Sequence, residues 1–153
     1  MGWLRAAVRF LLVTLLTILH VVVLLAGSVV IFVLPRLRAR WRMGVFRSWS
    51  RCILPVMGVR VAVRGQPPQA PFFLVANHLS YLDLPFVFGV LGGADVTGWA
   101  AEKYQSHLFI GPLLKFAGGI FIQRGQVDSH AIAQAVAWLQ RGNIFGMAPE
   151  GTR

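Results

Sequence analysis

The stretch "PFFLVANHLSYLDLPFVFG", Pro71 to Gly89, decides the fold. Its first part, "FFLVA", is a short uncharged run of Phe, Leu and Val, which reads as a fully buried β-strand. Its last part is apolar again and opens on Ser80, with Asp83 three residues later. That spacing predicts a helix from about Ser80, capped by the Ser80 hydroxyl with Asp83 in the reciprocal position. A strand that turns directly into a helix is the repeating unit of an α/β domain. His78 and Asp83 stand at the turn.

The same alternation continues on both sides. Upstream, "VRVAVRG" (59–65) alternates like a half-buried strand, and "QPPQAP" (66–71) reads as a loop. Downstream, "DVTGWAA", "GIFIQR" and "NIFGMA" are strand-like runs. "YQSHLFIGPLLKFAG" predicts a helix broken near Gly111-Pro112, since proline lacks the amide a helix interior needs. "DSHAIAQAVAWLQRG" predicts a helix with Asp128 as N-cap, a face of Ile132, Ala135, Val136 and Leu139, and a stop at Gly142. Strands alternating with helices predict an α/β domain over 59–153 with a buried, mostly parallel sheet.

The first 58 residues are different. Phe10 to Leu34 is a 25-residue run without Asp, Glu, Lys or Arg. About 20 such residues suffice to span a bilayer, and secretory apolar cores are usually about 7–15 residues long, so an uncleaved membrane segment is favoured over a signal peptide. His20 inside it is expected to turn toward a neighbouring helix or the lipid interface. From about 36 to 54, Arg36, Arg40, Arg47 and Arg51 recur at helical spacing, and Leu37, Trp41, Val45, Trp49 and Ile53 form an apolar stripe. A basic face and a tryptophan-bearing apolar face predict an interfacial amphipathic helix; a linker helix whose stripe packs on the protein core fits the same pattern.

Charge agrees with that division. Charged residues make up only 13% of the chain and apolar residues 56%, a balance that points to a membrane protein. The formal charge of +10 is one-sided: ten arginines and no acid precede Asp83, while five basic and five acidic residues follow from there. Arginines bordering an apolar segment suit anionic lipid headgroups, and no nucleic-acid motif accompanies them. Their excess after the segment places the remaining chain on the cytoplasmic face of a membrane, whether the segment spans or a helix pair dips into one leaflet. Cys52 is the only cysteine, which excludes an intramolecular disulfide and a cysteine-based metal cluster.

Two readings fit His78 and Asp83. In one, Asp83 merely completes a capping box and His78 is a loop residue. In the other, His78 accepts a proton from a hydroxyl near neutral pH, while Asp83 holds the second ring nitrogen and fixes the tautomer. The hydroxyl then belongs to the substrate. Arg124 ends one predicted strand, and Glu150, Gly151 and Arg153 follow another. Arginine suits bidentate phosphate contacts, and glycine permits close backbone approach. Taken singly, each reads as a surface charge or a turn residue.

Taken together, "NHLSYLD", "GGIFIQR" and "PEGTR", in this order, resemble three blocks of the glycerolipid acyltransferase family, nearest its 1-acylglycerol-3-phosphate branch. The resemblance covers about Phe72 to Arg153, and "AEKYQSHLFIGPLLKFAG" resembles the segment between the first two blocks. It implies a partial acyltransferase-type αβ domain preceded by membrane and amphipathic helices. It also implies transfer of a fatty acyl group from acyl-coenzyme A or acyl carrier protein to the sn-2 hydroxyl of lysophosphatidate, giving phosphatidate. A second acceptor in the same family is a lyso-ornithine lipid; a noncatalytic lipid-binding anchor is the reading from another class. By position His78 becomes the general base, Asp83 its partner, Arg124 the phosphate-binding arginine, and Glu150, Gly151, Thr152 and Arg153 the acceptor-binding block. No bound cofactor or metal is implied, and the expected partners are membrane lipids, the two substrates and an acyl carrier protein. Ala148 stands where the family usually has Phe, which bears on packing. Because Arg153 ends the sequence inside the third block, the domain is expected to be incomplete at its C-terminus.

Overall fold

The computed structural model describes residues 2–31, 34–77, 80, 83–91, 94–108, 110–123, 125 and 127–149. They fall into two compact units that do not follow chain order. One comprises Met1–Gln66 with Tyr81–Gly92, and the other Pro67–Ser80 with Gly93–Arg153.

The first unit is helical: α1 (Gly2–Ile31), α2 (Pro35–Val56) and α3 (Asp83–Val90). Helix α1 begins eight residues before the apolar run, because "GWLRAAVR" is itself rich in helix formers. Its hydroxyls are satisfied internally, with Thr14, Thr17 and Ser28 each donating to the carbonyl four residues back at 2.6–2.9 Å. Pro35 opens α2, where a missing amide costs nothing.

The two helices pack antiparallel along their length. Trp49 Nε1 donates to Thr17 Oγ1 at 3.0 Å, and His20 Nε2 lies 3.2 Å from Ser48 Oγ. Farther along, the Trp41 ring fills the space that a side chain on Gly27 would need. At the opposite end the Arg9 guanidinium lies beside Gly58, just past the end of α2. Positions 9, 17, 20 and 27 of α1 therefore meet positions 58, 49, 48 and 41.

The apolar stripe of α2 faces inward, as its spacing predicts, with Val45 and Ile53 buried. Leu37, its first member, is 42% exposed. Arg40 and Arg51 are exposed, but the basic face is not wholly solvated. On that face the half-buried Arg47 donates from Nε to the Leu91 carbonyl at 3.1 Å, while Arg42, three residues before Val45 on the apolar side, is buried. Helix α3 packs on α2 through stacked Phe46 and Phe88 rings, 4.8 Å apart, and through Gly89 against the buried Ser50.

The second unit holds β1 (Phe72–Val75), β2 (Val96–Ala101), a 3₁₀ turn (Glu102–Tyr104), α4 (Ile110–Phe116), β3 (Ile120–Ile122), α5 (Ser129–Gln140) and β4 (Ile144–Met147). All four strands are parallel, in the order β1-β4-β2-β3. The α/β fold with a parallel sheet is thus present as the sequence predicts. Central position explains burial: Phe145 and Ile144 on β4 are 0% and 1% exposed. Strand β1 differs from expectation. It lies at an edge of the described sheet, so Phe73 and Val75 remain 46% and 55% exposed and only alternate residues are covered. Between the central strands, a side chain on Gly98 would strike the Gly146 carbonyl at 2.6 Å, so glycine is required there.

Helix α5 covers one face. Asp128 caps it, its Oδ1 accepting from the Ala131 amide at 2.9 Å, and Gly142 ends it with φ of 81°. Its buried residues are Ala131 and Ala135, which pack with Ile120, Phe145 and the partly buried Trp99 and Trp138. Of the face assigned by periodicity, Ala135 is buried and Leu139 packs on this core, whereas Ile132 and Val136 are about half exposed. Two small alanines let the helix approach the sheet closely, and the larger side chains beside them are turned outward. Two local expectations also shift. Residues 59–64 form no strand, and Val61 and Val63 are exposed; alternation yields a strand only where an edge is available to pair with it. Of the helix expected over 104–118 only α4 is α-helical among the described residues; the break falls before Gly111-Pro112, which lies in the first turn of α4, a position proline tolerates.

Candidate active site at the strand ends

Parallel strands deliver the chain that follows them to one sheet edge, where sites in α/β folds are commonly built. Here the register is explicit. Val75, the last residue of β1, pairs with Met147, the last of β4, and Ala101 of β2 pairs with Ile122 of β3. Neighbouring strands run about 4.8 Å apart. In sequence the first block follows β1, the second contains β3 and the third follows β4; at this edge the described chain leads to Asn77 after β1, Gln123 after β3 and Pro149 after β4.

Of the predicted site residues, His78, Arg124, Glu150, Gly151, Thr152 and Arg153 lie outside the described residues. What is described is the framework that leads to each of them. Asp83 is described: it is half-buried in the first turn of α3, in the helical unit. The positive end of a helix dipole favours a carboxylate there. Because α3 starts at Asp83, the capping-box register with Ser80 falls partly outside the described residues.

Another buried carboxylate has a different task. Asp95 precedes β2 at the opposite edge, where its Oδ1 accepts from the Val96 amide at 3.1 Å and its carbonyl accepts from the Ile144 amide at 2.9 Å. It ties two central strands together. Thr97 Oγ1, also buried, donates to the Gly118 carbonyl at 2.6 Å and anchors the turn before β3.

Sequence reasoning passed over Glu102 and Lys103. Both are exposed and follow β2 directly, and Lys103 Nζ sits 5.1 Å from the Tyr104 ring centroid. They stand at the same sheet edge as the ends of β1, β3 and β4. The signal was their place right after "DVTGWAA", which is now seen to be a central strand.

Residues 60–153, which contain the whole sheet, match the acyltransferase family model. The chain belongs to that family. Among characterised relatives it is 35% identical over 112 residues to a lyso-ornithine lipid O-acyltransferase of Pseudomonas aeruginosa, covering 72% of this chain and 42% of that protein. It is 31% identical over 140 residues to a lyso-ornithine lipid O-acyltransferase of Rhodobacter capsulatus, covering 85% of this chain and 49% of that one. The chain therefore spans about half, or less, of the length of these relatives. Among solved structures it resembles the 1-acyl-sn-glycerophosphate acyltransferase PlsC of Thermotoga maritima, with a TM-score of 0.66 and 25% identity over 97% of this chain and 63% of that one.

Proposed function

We propose that this chain carries the acyl-transfer site of a membrane-bound lysolipid O-acyltransferase. One observation supports this most: the parallel register brings the ends of β1, β3 and β4 to a common edge, and in sequence those ends lead to His78, Arg124 and the Glu150–Arg153 segment. In this reading neutral His78 removes the proton from the acceptor hydroxyl as that oxygen attacks the thioester carbonyl. The C–S bond breaks, and the departing thiolate takes the proton back from the imidazolium. Asp83 orients the imidazole and stabilises its charged form. Arg124 and the Glu150–Arg153 segment hold the acceptor headgroup. The thioester is already activated, so positioning and oxyanion stabilisation supply most of the remaining catalysis. The donor is acyl-coenzyme A or acyl carrier protein.

Two acceptors have support. Both characterised relatives named above act on lyso-ornithine lipid, which favours that class. The arginine of "PEGTR" and the likeness to the Thermotoga enzyme favour lysophosphatidate. Measuring thiol release and ester formation with each acceptor in detergent micelles separates them. Ester formed from one acceptor and lost in His78→Ala supports the assignment; equal turnover in His78→Ala refutes it.

The helical unit brings the site to these amphiphiles. By length and composition α1 can cross a membrane from Gly2 to Val29, and only 6% of its most apolar window is buried in the protein. Yet its antiparallel register with α2 would carry Arg47 and Arg51 to mid-depth if α1 stood upright. Each arginine at the bilayer centre costs about 2.5–3.5 kcal/mol on insertion scales. The hairpin therefore lies along one membrane face, with α1 in the acyl region and the α2 arginines among headgroups. By the positive-inside asymmetry that face is cytoplasmic.

A further inference from the structure

The α1–α2 hairpin is not closely packed throughout. A groove of about 370 Å³ runs between the helices, walled by Val23 and Val45, with the exposed Arg40 on its rim. It exists because position 44 is glycine: a methyl group there would meet no atom within 4 Å. His20 and Ser48 also line it, but they already face each other at 3.2 Å, and His20 Nδ1 lies 2.7 Å from the Leu16 carbonyl. These two polar groups need no ligand.

Arg40 is in another position. Among the described residues it has no ion-pair partner, no acidic residue occurs in the first 82 positions, and Asp83 is the only carboxylate in the helical unit. An apolar trough ending at an uncompensated guanidinium has the chemistry of one kind of ligand: a hydrocarbon chain attached to a phosphate. We propose that this groove binds a single diacyl anionic phospholipid, one acyl chain lying over Gly44 between Val23 and Val45 and its phosphate on Arg40. The ligand is a resident membrane lipid, because the groove belongs wholly to the helical unit and uses none of the residues assigned to acyl transfer. Such a lipid fills a void in the hairpin and gives the bound state a headgroup preference beyond diffuse charge attraction. The inference rests on the hairpin meeting a lipid surface, as proposed above.

The test uses the full chain with phosphatidylcholine vesicles containing phosphatidylglycerol. Flotation reports adsorption to the surface, and native mass spectrometry after mild detergent extraction counts phosphatidylglycerol retained per chain. Four proteins are compared: wild type, Arg40→Gln, Gly44→Leu and Arg38→Gln. Arg38 is exposed on the same helix and does not line the groove. Wild type and Arg38→Gln should each retain one phosphatidylglycerol. Arg40→Gln should lose at least about fivefold in retention, the worth of one basic side chain at an anionic surface. Gly44→Leu should lose as much while floating like wild type, since it fills the groove and changes no charge. Leucine also favours the helix, and unchanged far-ultraviolet dichroism confirms that the hairpin is formed. Equal losses in Arg38→Gln and Arg40→Gln, or wild-type retention in Gly44→Leu, overturn the groove and leave diffuse attraction as the whole effect. A wild-type chain that fails to float overturns the membrane reading and the groove with it.

Discussion

The helical unit and the sheet unit are written in the same apolar alphabet but spend it differently. In the sheet unit, β4 and α5 bury Ile144, Phe145, Ala131 and Ala135 almost completely, so the apolar content is satisfied within the protein. In the helical unit, Phe10, Leu15, Ile18, Leu19, Val22 and Leu25 of α1 are each more than half exposed, although α2 is packed beside them. An exposed apolar surface of that extent on a helix is what the proposed lipid contact would cover. In the proposed function the strand-end blocks serve acyl transfer and the α1–α2 hairpin serves attachment, with Asp83 the one site residue that lies in the helical unit. Changes to the sheet core or the strand-end blocks should leave attachment intact, and changes to the α1–α2 contact should leave transfer intact.

The largest separation is expected from His78→Ala. Loss of a general base should lower acyl transfer by about 10²–10⁴-fold with no change in vesicle flotation. Next is Phe145→Ala, which hollows the centre of the sheet and should destabilise that unit by about 3–5 kcal/mol. Urea titration should show an early tryptophan transition from Trp99 and Trp138, both packed on that core, while the chain still floats. Gly27→Leu acts on the other unit. The Trp41 ring must move, and the overpacking should cost about 1–3 kcal/mol of hairpin stability, read as weaker flotation with transfer in micelles nearly unchanged. The smallest effect is Asp128→Ala. Removing the α5 cap should cost about 1 kcal/mol, seen as a lower urea midpoint for the sheet unit alone.

Much of this organisation was legible in the sequence, and the failures have physical causes. Asp128 and Gly142 marked the ends of α5 because capping is local chemistry. The strand runs were found because a buried parallel sheet leaves continuous apolar segments. Periodicity found half of the inward face of α5, Ala135 and Leu139, but weighed hydrophobicity over size: small Ala131 faces the sheet while Ile132 and Val136 do not. "VRVAVRG" carried the alternation of a strand, but pairing depends on a neighbouring edge that no local pattern specifies. The burial of Arg42 was passed over, although helical spacing puts it beside Val45 and Trp49 on the apolar side of α2. At the candidate site the blocks were readable as a resemblance and the convergence of strand ends as a general rule of α/β sheets, whereas which strands are neighbours came from the register of β1 with β4 and β2 with β3. Lys103 was missed for the same reason.

The account is tested most directly by following ester formation and flotation in one vesicle sample. The vesicles carry phosphatidylglycerol, an acyl-coenzyme A or acyl carrier protein donor, and lyso-ornithine lipid or lysophosphatidate. The account predicts ester from the wild-type chain, none above background from His78→Ala, and the same floated fraction for both. Ester formation by His78→Ala within tenfold of wild type, or none by the wild-type chain with either donor and either acceptor, would contradict it.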